Sequence, residues 1–229
     1  MTRTALYGVL FAALLQSASS VADEAGKPIP APTADEARMQ NSASETAVLS
    51  GGCFWGMQGL FEHVRGVRQV VAGYAGGAAS TAQYETVSSG TTGHAESVKI
   101  VFDPAVITYG QILRIFFSVA HDPTEVDRQG PDEGSQYRSD IFFATTAQEK
   151  IARSYIGQLG HAHIFAAPIA TRVDRLSGFY PAEGYHQDYL IHNPGSLYII
   201  VNDLPKITHL KAIYPQLYRD TPVTLASAR

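Results

Sequence analysis

Cysteine and tryptophan are nearly absent from this chain of 229 residues, which has one of each, Cys53 and Trp55. A single cysteine excludes an internal disulfide. The thiol is therefore free and reactive, paired with another molecule, or packed as a small apolar side chain. His161 and His163 have no cysteine or carboxylate partners at the spacing of a zinc site, so no metal site is predicted.

An excess of positive charge and long hydrophobic runs are also absent. The net charge is -4, and no Lys or Arg run interleaves with aromatic residues, which argues against a nucleic-acid surface. No glycine pattern matches a phosphate loop or a dinucleotide fingerprint. The apolar run over residues 5–15 is shorter than the ~20 residues that span a bilayer, so stable membrane insertion is not expected.

The N-terminal residues instead resemble a targeting segment. Arg3 precedes the apolar run, and small residues at 20–22 offer a cleavage site, so residues 1–22 predict a signal peptide and export to the periplasm. Residues 23–45 are rich in Ala, Pro, Ser and acidic residues, which predicts a disordered linker. We expect one folded domain over residues 46–219 and a C-terminal tail over 220–229.

Residues 50–56 surround the cysteine with glycines and aromatics. A short strand is predicted over residues 46–49, and apolar residues recur at helical spacing from Phe54 to Val64, so Cys53 lies where the strand turns into a helix. Free N–H groups at a helix N-terminus stabilise a thiolate and lower the cysteine pKa. Phe54 and Trp55 beside it are either an apolar wall for a substrate or plain core.

A carboxylate is predicted on the inner face of a strand. Strands are predicted over residues 67–73 and 94–102, and in the second Glu96 has the same parity as Val98, Ile100 and Phe102. Burial there would raise the pKa of Glu96. The alternative is a strand-end glutamate that bends out to water.

The rest of the domain alternates helices and strands. Thr108 with Gln111, and Thr145 with Gln148, predict capped helices. A long polar loop over residues 121–139 is typical of a functional segment. Further strands are predicted over 140–143 and 168–176, and helices over 182–191 and 206–218. Short turns and long loops favour a compact α+β sandwich.

Three functions remain open from these residues alone. Cys53 could attack a carbonyl in a hydrolase, with His94, His121 or His186 as base, although no spacing selects one of them. It could instead attack an electrophilic sulfur in thiol redox chemistry. A binding module without catalysis is the third.

Five motifs in order carry a family resemblance: GCFWG at 52–56, GYAGG at 73–77, GHAE at 93–96, QYRS at 136–139 and HQ at 186–187. Together with NDLPK at 202–206, they make the chain similar to the class A peptide methionine sulfoxide reductases. The resemblance covers nearly all of the folded domain and implies an enzyme that repairs oxidised methionine. The expected fold is a two-layer, ferredoxin-like α/β sandwich with helices packed on a mixed, mostly antiparallel sheet.

The resemblance also implies residue roles. Cys53 would attack the sulfoxide sulfur and become a sulfenic acid, with Glu96 as the acid. Tyr74 and Tyr137 would donate hydrogen bonds to the sulfoxide oxygen. Phe54 and Trp55 would hold the methyl group, and Asp132 would orient the site. His186 is expected behind these residues, and the S epimer is the expected substrate.

The sequence departs from many members of the family in one respect, because no cysteine follows Cys53 to resolve the sulfenic acid. We therefore expect an external thiol, from a thioredoxin-like protein or a small molecule, to reduce it. No bound cofactor is expected. The expected substrates are oxidised proteins or free methionine sulfoxide, and the chain is expected to be a monomer.

Overall fold

The structure, a computed structural model, describes residues 26–38 and 44–226. The strands are β1 (Glu45–Ser50), β2 (Val67–Ala75), β3 (Ala95–Phe102), β4 (Arg128–Gln129), β5 (Asp132–Glu133), β6 (Asp140–Phe143), β7 (Arg172–Arg175) and β8 (Phe179–Pro181). The α-helices are α1 (Phe54–Glu62), α2 (Tyr84–Val87), α3 (Tyr109–Ile115), α4 (Thr146–His161), α5 (Tyr189–His192) and α6 (Leu204–Ile213). Short 3₁₀ turns cover Ala79–Thr81, Ser135–Tyr137 and Gly184–His186, and π-helical turns cover Phe116–Ala120 and Ile199–Asp203.

The main sheet has six strands in the order β7-β6-β1-β3-β2-β8. Every neighbouring pair is antiparallel except β6 with β7, which is parallel. The prediction of a mixed, mostly antiparallel sheet in an α+β protein is confirmed. A separate hairpin of β4 and β5 lies within the long polar loop.

The core lies between one face of this sheet and the helices. Val98, Ile100 and Phe102 of β3 are buried with the apolar residues of α1, as their alternation predicted. In the part of the chain that the structure describes, the opposite face carries a small buried cluster: Val48, Ala75, Ala95 and Phe142. In the register of β2 with β3, Tyr74 lies directly opposite Glu96, so both residues belong to one face of the sheet.

Helix starts follow the predicted caps. The Thr108 side chain accepts from the Gln111 N–H, and the Gln111 side chain accepts from the Thr108 N–H, which completes the capping box of α3. Thr145 likewise accepts from the Gln148 N–H at the start of α4. Strand β6 spans the residues predicted for it.

The helix predicted over residues 182–191 is wrong, because the segment is instead divided between a 3₁₀ turn and the short α5. The side chain of Gln187 accepts from the Ala72 N–H at 3.0 Å and donates to the Ala72 carbonyl at 2.9 Å. Asp188 then adopts a left-handed conformation with φ of 53°. These bonds to β2 outweigh the helical propensity of the segment.

The prediction of a disordered linker over residues 23–45 is wrong for residues 26–38, which lie against the domain. The Arg114 guanidinium donates to the Ile29 carbonyl at 2.6 and 2.8 Å, and the Tyr155 hydroxyl donates to the Pro30 carbonyl at 2.6 Å. Ile29 is 2% exposed and belongs to the main core. One buried apolar side chain and several carbonyl acceptors order a stretch that lacks periodicity.

The predicted signal peptide lies outside the described residues. Of the predicted tail, residues 220–226 are described, and the Leu225 N–H donates to Asp188 Oδ2 at 3.1 Å. Within residues 26–38 and 44–226, no helix is long and apolar enough to cross a bilayer.

Candidate active site

Cys53 is the residue from which α1 begins, directly after β1 and two glycines. Gly52 has φ of +88°, and a Cβ there would lie 2.6 Å from the side chain of Gln129. Glycine is therefore required at the turn by both conformation and space. The turn leaves Cys53 only 9% exposed, at the edge of the core.

The N-terminus of α1 is shared between the thiol and a carboxyl group. The Phe54 N–H donates to Glu96 Oε2 at 2.9 Å, while the Trp55 N–H bonds to the sulfur of Cys53. Each of these two groups takes one of the free N–H groups that a helix start presents. The acid and the nucleophile predicted from sequence are thus side by side.

The pKa of the Cys53 thiol is raised, contrary to the predicted lowering. Burial is the largest cause, and the negative charges of Glu96, Asp203 and Asp132 add to it. The hydrogen bond from Trp55 acts in the opposite direction and is outweighed. Cys53 is therefore a neutral thiol at rest, because desolvation and nearby carboxylates exceed the effect of the helix start.

Glu96 points into the core, as the strand parity predicted, and is 3% exposed. Burial raises the pKa of Glu96 to about 8, against the lowering by the Phe54 N–H, and Asp132 raises it further. A carboxyl group with this pKa holds its proton at neutral pH. It can therefore donate a proton to a substrate beside Cys53.

Two phenols, Tyr84 and Tyr137, lie within electrostatic reach of this pair. Burial raises the pKa of Tyr137, and the charges of Glu96, Asp132 and Cys53 raise it further. The pKa of Tyr84 is raised by burial and then by Glu96, with a smaller effect from Cys53. Both phenols stay neutral and keep a proton to donate. Tyr84 was missed in the sequence, where no motif marked it.

The predicted role of Tyr74 is corrected by its surroundings. Tyr74 is fully buried, and its hydroxyl donates to Glu183 Oε2 at 2.8 Å. A hydroxyl that already donates its proton to a carboxylate has none left for a substrate oxygen. Tyr74 lies opposite Glu96 in the sheet, so its ring is close to the site, but its hydroxyl is hydrogen-bonded to Glu183.

The two residues of the predicted apolar wall, Phe54 and Trp55, are held rigidly by their neighbours. The Trp55 ring stacks on Tyr189 with centroids 3.9 Å apart, and its indole N–H donates to His186 Nδ1 at 3.1 Å. The buried Phe54 ring lies 5.0 Å from the ring of His186. His186 thus backs both wall residues, as expected from the sequence.

Asp132 is fixed by a residue that no sequence pattern indicated. The hydroxyl of Tyr198 donates to Asp132 Oδ2, and its ring meets Trp55 edge-on at 6.0 Å. Burial raises the pKa of Tyr198, and the nearby Cys53 raises it further. Tyr198 therefore closes the site from the C-terminal half of the chain. In the described part of the chain, no three His, Cys, Asp or Glu side chains converge to hold a metal ion.

A family model described as peptide methionine sulfoxide reductase matches residues 45–216, which contain every residue of this site. The chain belongs to the peptide methionine sulfoxide reductase family. Its members are oxidoreductases that reduce methionine sulfoxide, and the relatives named next place the chain in class A.

Two relatives carry the name peptide methionine sulfoxide reductase MsrA 2. The protein of Mesorhizobium japonicum is 56% identical over 185 residues, covering 81% of this chain and 95% of its own length. The protein of a Synechocystis strain is 50% identical over 190 residues, covering 82% of this chain and 89% of its own length.

Two solved structures share the fold. Reduced Mxr1 of Saccharomyces cerevisiae has a TM-score of 0.60 at 32% identity, covering 69% of this chain and 90% of its own. Methionine sulfoxide reductase A of Corynebacterium diphtheriae has a TM-score of 0.58 at 33% identity, covering 74% of this chain and 84% of its own. The sheet and helices around Cys53 therefore follow a known arrangement.

Proposed function

We propose that the protein reduces methionine-S-sulfoxide, free or within oxidised proteins, through a sulfenic acid on Cys53. One observation carries the proposal: a buried carboxyl group, Glu96, shares the first N–H groups of α1 with the sole thiol of the chain. A proton donor and a sulfur nucleophile are the two groups that reduction of a sulfoxide requires.

The proposed step conserves atoms and electrons. Cys53 Sγ attacks the substrate sulfur and forms an S–S bond, while the sulfoxide oxygen takes up two protons and leaves as water. A water molecule then adds to Sγ and the S–S bond breaks. In sum, the sulfoxide R–S(=O)–CH₃ plus Cys–SH becomes R–S–CH₃ plus Cys–SOH. The substrate sulfur gains two electrons and the Cys53 sulfur loses two. Glu96 passes both protons to the departing oxygen and recovers one from the thiol and one from the water that adds to Sγ, so that its own protonation state is unchanged after the step.

Hydrogen bonds to the oxygen stabilise the charge that develops on it. We assign this role to Tyr84 and Tyr137, in place of Tyr74, because both phenols are neutral and near Cys53. This arrangement also explains how a neutral thiol reacts. Once the sulfoxide binds, its polar S–O bond accepts a proton as the sulfur is attacked, so a free thiolate is not needed beforehand.

Substrate orientation comes from the opposite wall. Phe54 and Trp55 hold the methyl group, while Asp132 and Tyr198 limit the space beside Trp55. A site that fixes the methyl group and the oxygen on different walls accepts one configuration at sulfur. We propose the S epimer, on the basis of the family resemblance.

Recycling requires a thiol from outside the chain, because Cys53 is the only cysteine in the sequence. A thiol R′SH attacks Cys–SOH, forms a mixed disulfide and releases water, and a second R′SH frees Cys53 and leaves as R′SSR′. The proposed reductant is a thioredoxin-like protein or a small thiol.

The test is to trap the intermediate. Reduced protein is mixed with methionine-S-sulfoxide and a sulfenic-acid reagent, and the adduct on Cys53 is measured by mass spectrometry beside the methionine formed. We expect one adduct per chain and no adduct or methionine with Cys53→Ser. A thioester with acyl substrates, without a sulfenic adduct, would indicate the alternative thiol hydrolase and sink the proposal.

We also propose that the protein is exported to the periplasm, on the basis of residues 1–22. The N-terminus of protein recovered from a bacterial host is read by mass spectrometry. A chain that begins at Asp23 is the expected result, and a full-length chain in the cytoplasm would contradict it.

A finer description of the fold is proposed as well. The elements β1, α1, β2, β3, α3 and β6 follow one another in the chain, with α2 inserted before β3 and the β4–β5 hairpin inserted before β6. Their strands take the spatial order β6-β1-β3-β2. This order of strands and helices supports the ferredoxin-like assignment. Superposition of an experimental structure on ferredoxin-like proteins tests the assignment, and a different strand order would refute it.

A further inference from the structure

Glu183 joins two tyrosines that are distant from it in the sequence. Its Oε2 accepts from the Tyr74 hydroxyl at 2.8 Å, and its Oε1 accepts from the Tyr84 N–H at 2.9 Å. The two bonds use both oxygens of one carboxylate. They connect a strand of the main sheet to the start of α2 through a third segment of the chain.

The start of α2 has no cap of its own. Gln83, which precedes it, makes no side-chain cap hydrogen bond, and the helix has only four residues, Tyr84–Val87. Such a short helix is marginal without tertiary contacts. Glu183 supplies the missing acceptor for the first N–H of the helix.

The residues after Glu183 hold the side chain of Tyr84 as well. The ring of His186 lies 4.4 Å from the ring of Tyr84, and His186 is itself fixed by the indole N–H of Trp55. Tyr84 is thus held at its backbone by Glu183 and at its ring by His186. Both contacts come from one short segment, residues 183–186.

Tyr74 makes a rigid anchor for Glu183. It is fully buried in β2, between the neighbouring strands β3 and β8. Burial raises the pKa of Glu183, but the bonds from Tyr84 and Tyr74 outweigh it, so the pKa is lowered and the carboxylate is ionised at neutral pH. An ionised carboxylate can accept at both oxygens, whereas an amide can accept at only one.

We propose that Glu183 is a positioning residue that fixes Tyr84 beside Cys53, and that Tyr74 holds Glu183 in place. The inference rests on the proposed function, since Tyr84 matters only if its hydroxyl binds the sulfoxide oxygen. It gives Tyr74 an indirect role in the reaction in place of the direct one expected from the sequence.

The test compares single-turnover rates of methionine formation from methionine-S-sulfoxide, which need no recycling thiol. Loss of one donor to a developing oxyanion costs about 100-fold, so Tyr84→Phe sets the upper limit. We expect about a 10-fold loss for Glu183→Ala, because displacement by a fraction of an ångström already slows a reaction strongly. Glu183→Gln and Tyr74→Phe should fall between Glu183→Ala and the wild type.

The matched control is Glu85→Gln, which removes a negative charge from the exposed neighbour of Tyr84 on the same helix. Its rate should stay within about 2-fold of the wild type, as for surface changes in general. Thermal unfolding of each variant is recorded. If Glu183→Ala does not fold, Glu183→Gln and Tyr74→Phe decide the outcome.

A double variant separates positioning from general damage. If Glu183 acts through Tyr84, adding Glu183→Ala to Tyr84→Phe should lower the rate by no more than about 2-fold further. A full additional loss in the double variant would overturn the inference, and so would a Glu183→Ala rate equal to that of Glu85→Gln. A wild type that forms no methionine would instead overturn the proposed function.

Discussion

At the scale of single residues, burial decides the chemistry of the site more than the helix start does. A helix N-terminus favours an anion by about 0.3–1 kcal/mol at an exposed position. Removing Cys53 and Glu96 from water costs more, so the pKa of each group is raised. The site at rest therefore holds two protons, one on Cys53 and one on Glu96.

The acid role of Glu96 predicts a pH dependence. The pKa of Glu96 in the folded protein is about 8, so the group is protonated below pH 8 and loses its proton as the pH rises through that value. At pH 7 we expect Glu96→Gln to lower the single-turnover rate by about 100-fold, within the range of general acid catalysis. The ratio of wild-type to variant rate should then fall by about 10-fold per pH unit above 8.

This ratio is measured by quenched flow between pH 6 and 10. Because Glu96 also raises the pKa of Cys53, ionisation of the thiol is followed separately in both proteins by its ultraviolet absorbance. A ratio that stays constant across pH 8 would exclude Glu96 as the proton donor, and Glu85→Gln serves as the control that should keep the wild-type profile.

Glu62 predicts a second pH effect, this time on stability. It is fully buried in α1, and burial first, with the nearby Asp188 second, raises its pKa to about 9. A group whose pKa is raised by folding stabilises the protein fully below its unfolded pKa, near 4.5, and loses that contribution as the pH rises to the folded pKa. The free energy of unfolding should therefore decrease between about pH 4.5 and 9.

Urea unfolding at pH 5, 7 and 9 measures this effect. Glu62→Gln cannot ionise, so the difference in stability between wild type and variant should shift in favour of the variant as the pH rises. A difference independent of pH would show that Glu62 is already ionised in the folded protein. Glu149→Gln, on the partly exposed face of α4, is the control.

At the scale of elements, the composition of residues 26–38 predicted disorder, whereas the segment packs against the helices of the domain. They contact α3, α4 and α6 through Ile29, Thr33, Asp35 and Gly26. Asp35 accepts from the Gly110 N–H at 2.9 Å and thus adds an acceptor at the start of α3 beside the capping box. The segment joins helices that are distant in the sequence.

The contribution of this segment can be measured through Ile29. Ile29→Ala leaves a cavity in the main core, which typically costs 2–5 kcal/mol, and we expect about 2 kcal/mol because the segment can relax. Chemical unfolding gives the change, with Val106→Ala, at an exposed position, as a control expected within about 0.5 kcal/mol. Equal stabilities of the two variants would mean that residues 26–38 do not stay docked in solution.

The elements that could be predicted from the sequence are those with strong local signals. Alternation in β3 and the capping pairs at Thr108 and Thr145 placed their elements correctly because each signal lies within a few residues. The segment from Glu183 to Asp188 was mispredicted as a helix because its partners, Tyr74 and Ala72, lie more than a hundred residues away. Long-range hydrogen bonds leave no trace in local periodicity.

The difference between local signals and long-range contacts also explains which residues of the site could be predicted. Cys53, Glu96 and the wall residues could be predicted because a turn, a strand parity and a family motif marked them. The assignment of Tyr84 in place of Tyr74 could not, since a motif contains Tyr74 and none contains Tyr84, and only the contacts of Glu183 in the folded chain separate the two. The raised pKa of Cys53 depends on Asp132 and Asp203, which only the folded chain brings near.

At the scale of the whole molecule, the single cysteine fixes the stoichiometry. Without added thiol, reduced protein should form one methionine per chain and then stop, because no second sulfur can resolve the sulfenic acid. Methionine is counted by chromatography, and non-reducing mass spectrometry checks for crosslinked species. Repeated turnover without a thiol would contradict the mechanism. Added dithiothreitol should reduce Cys53 again and allow repeated turnover.

The proton that Cys53 keeps at rest also bears on which reagents can reach it. Alkylating agents and peroxides react with thiolates, so a protonated sulfur with little exposed surface is a poor target for them at neutral pH. A sulfoxide brings an oxygen that accepts a proton, so it can react with the neutral thiol, whereas alkylating agents and peroxides react with it slowly. The only thiol of the chain is in this way protected from the oxidants whose damage the enzyme repairs.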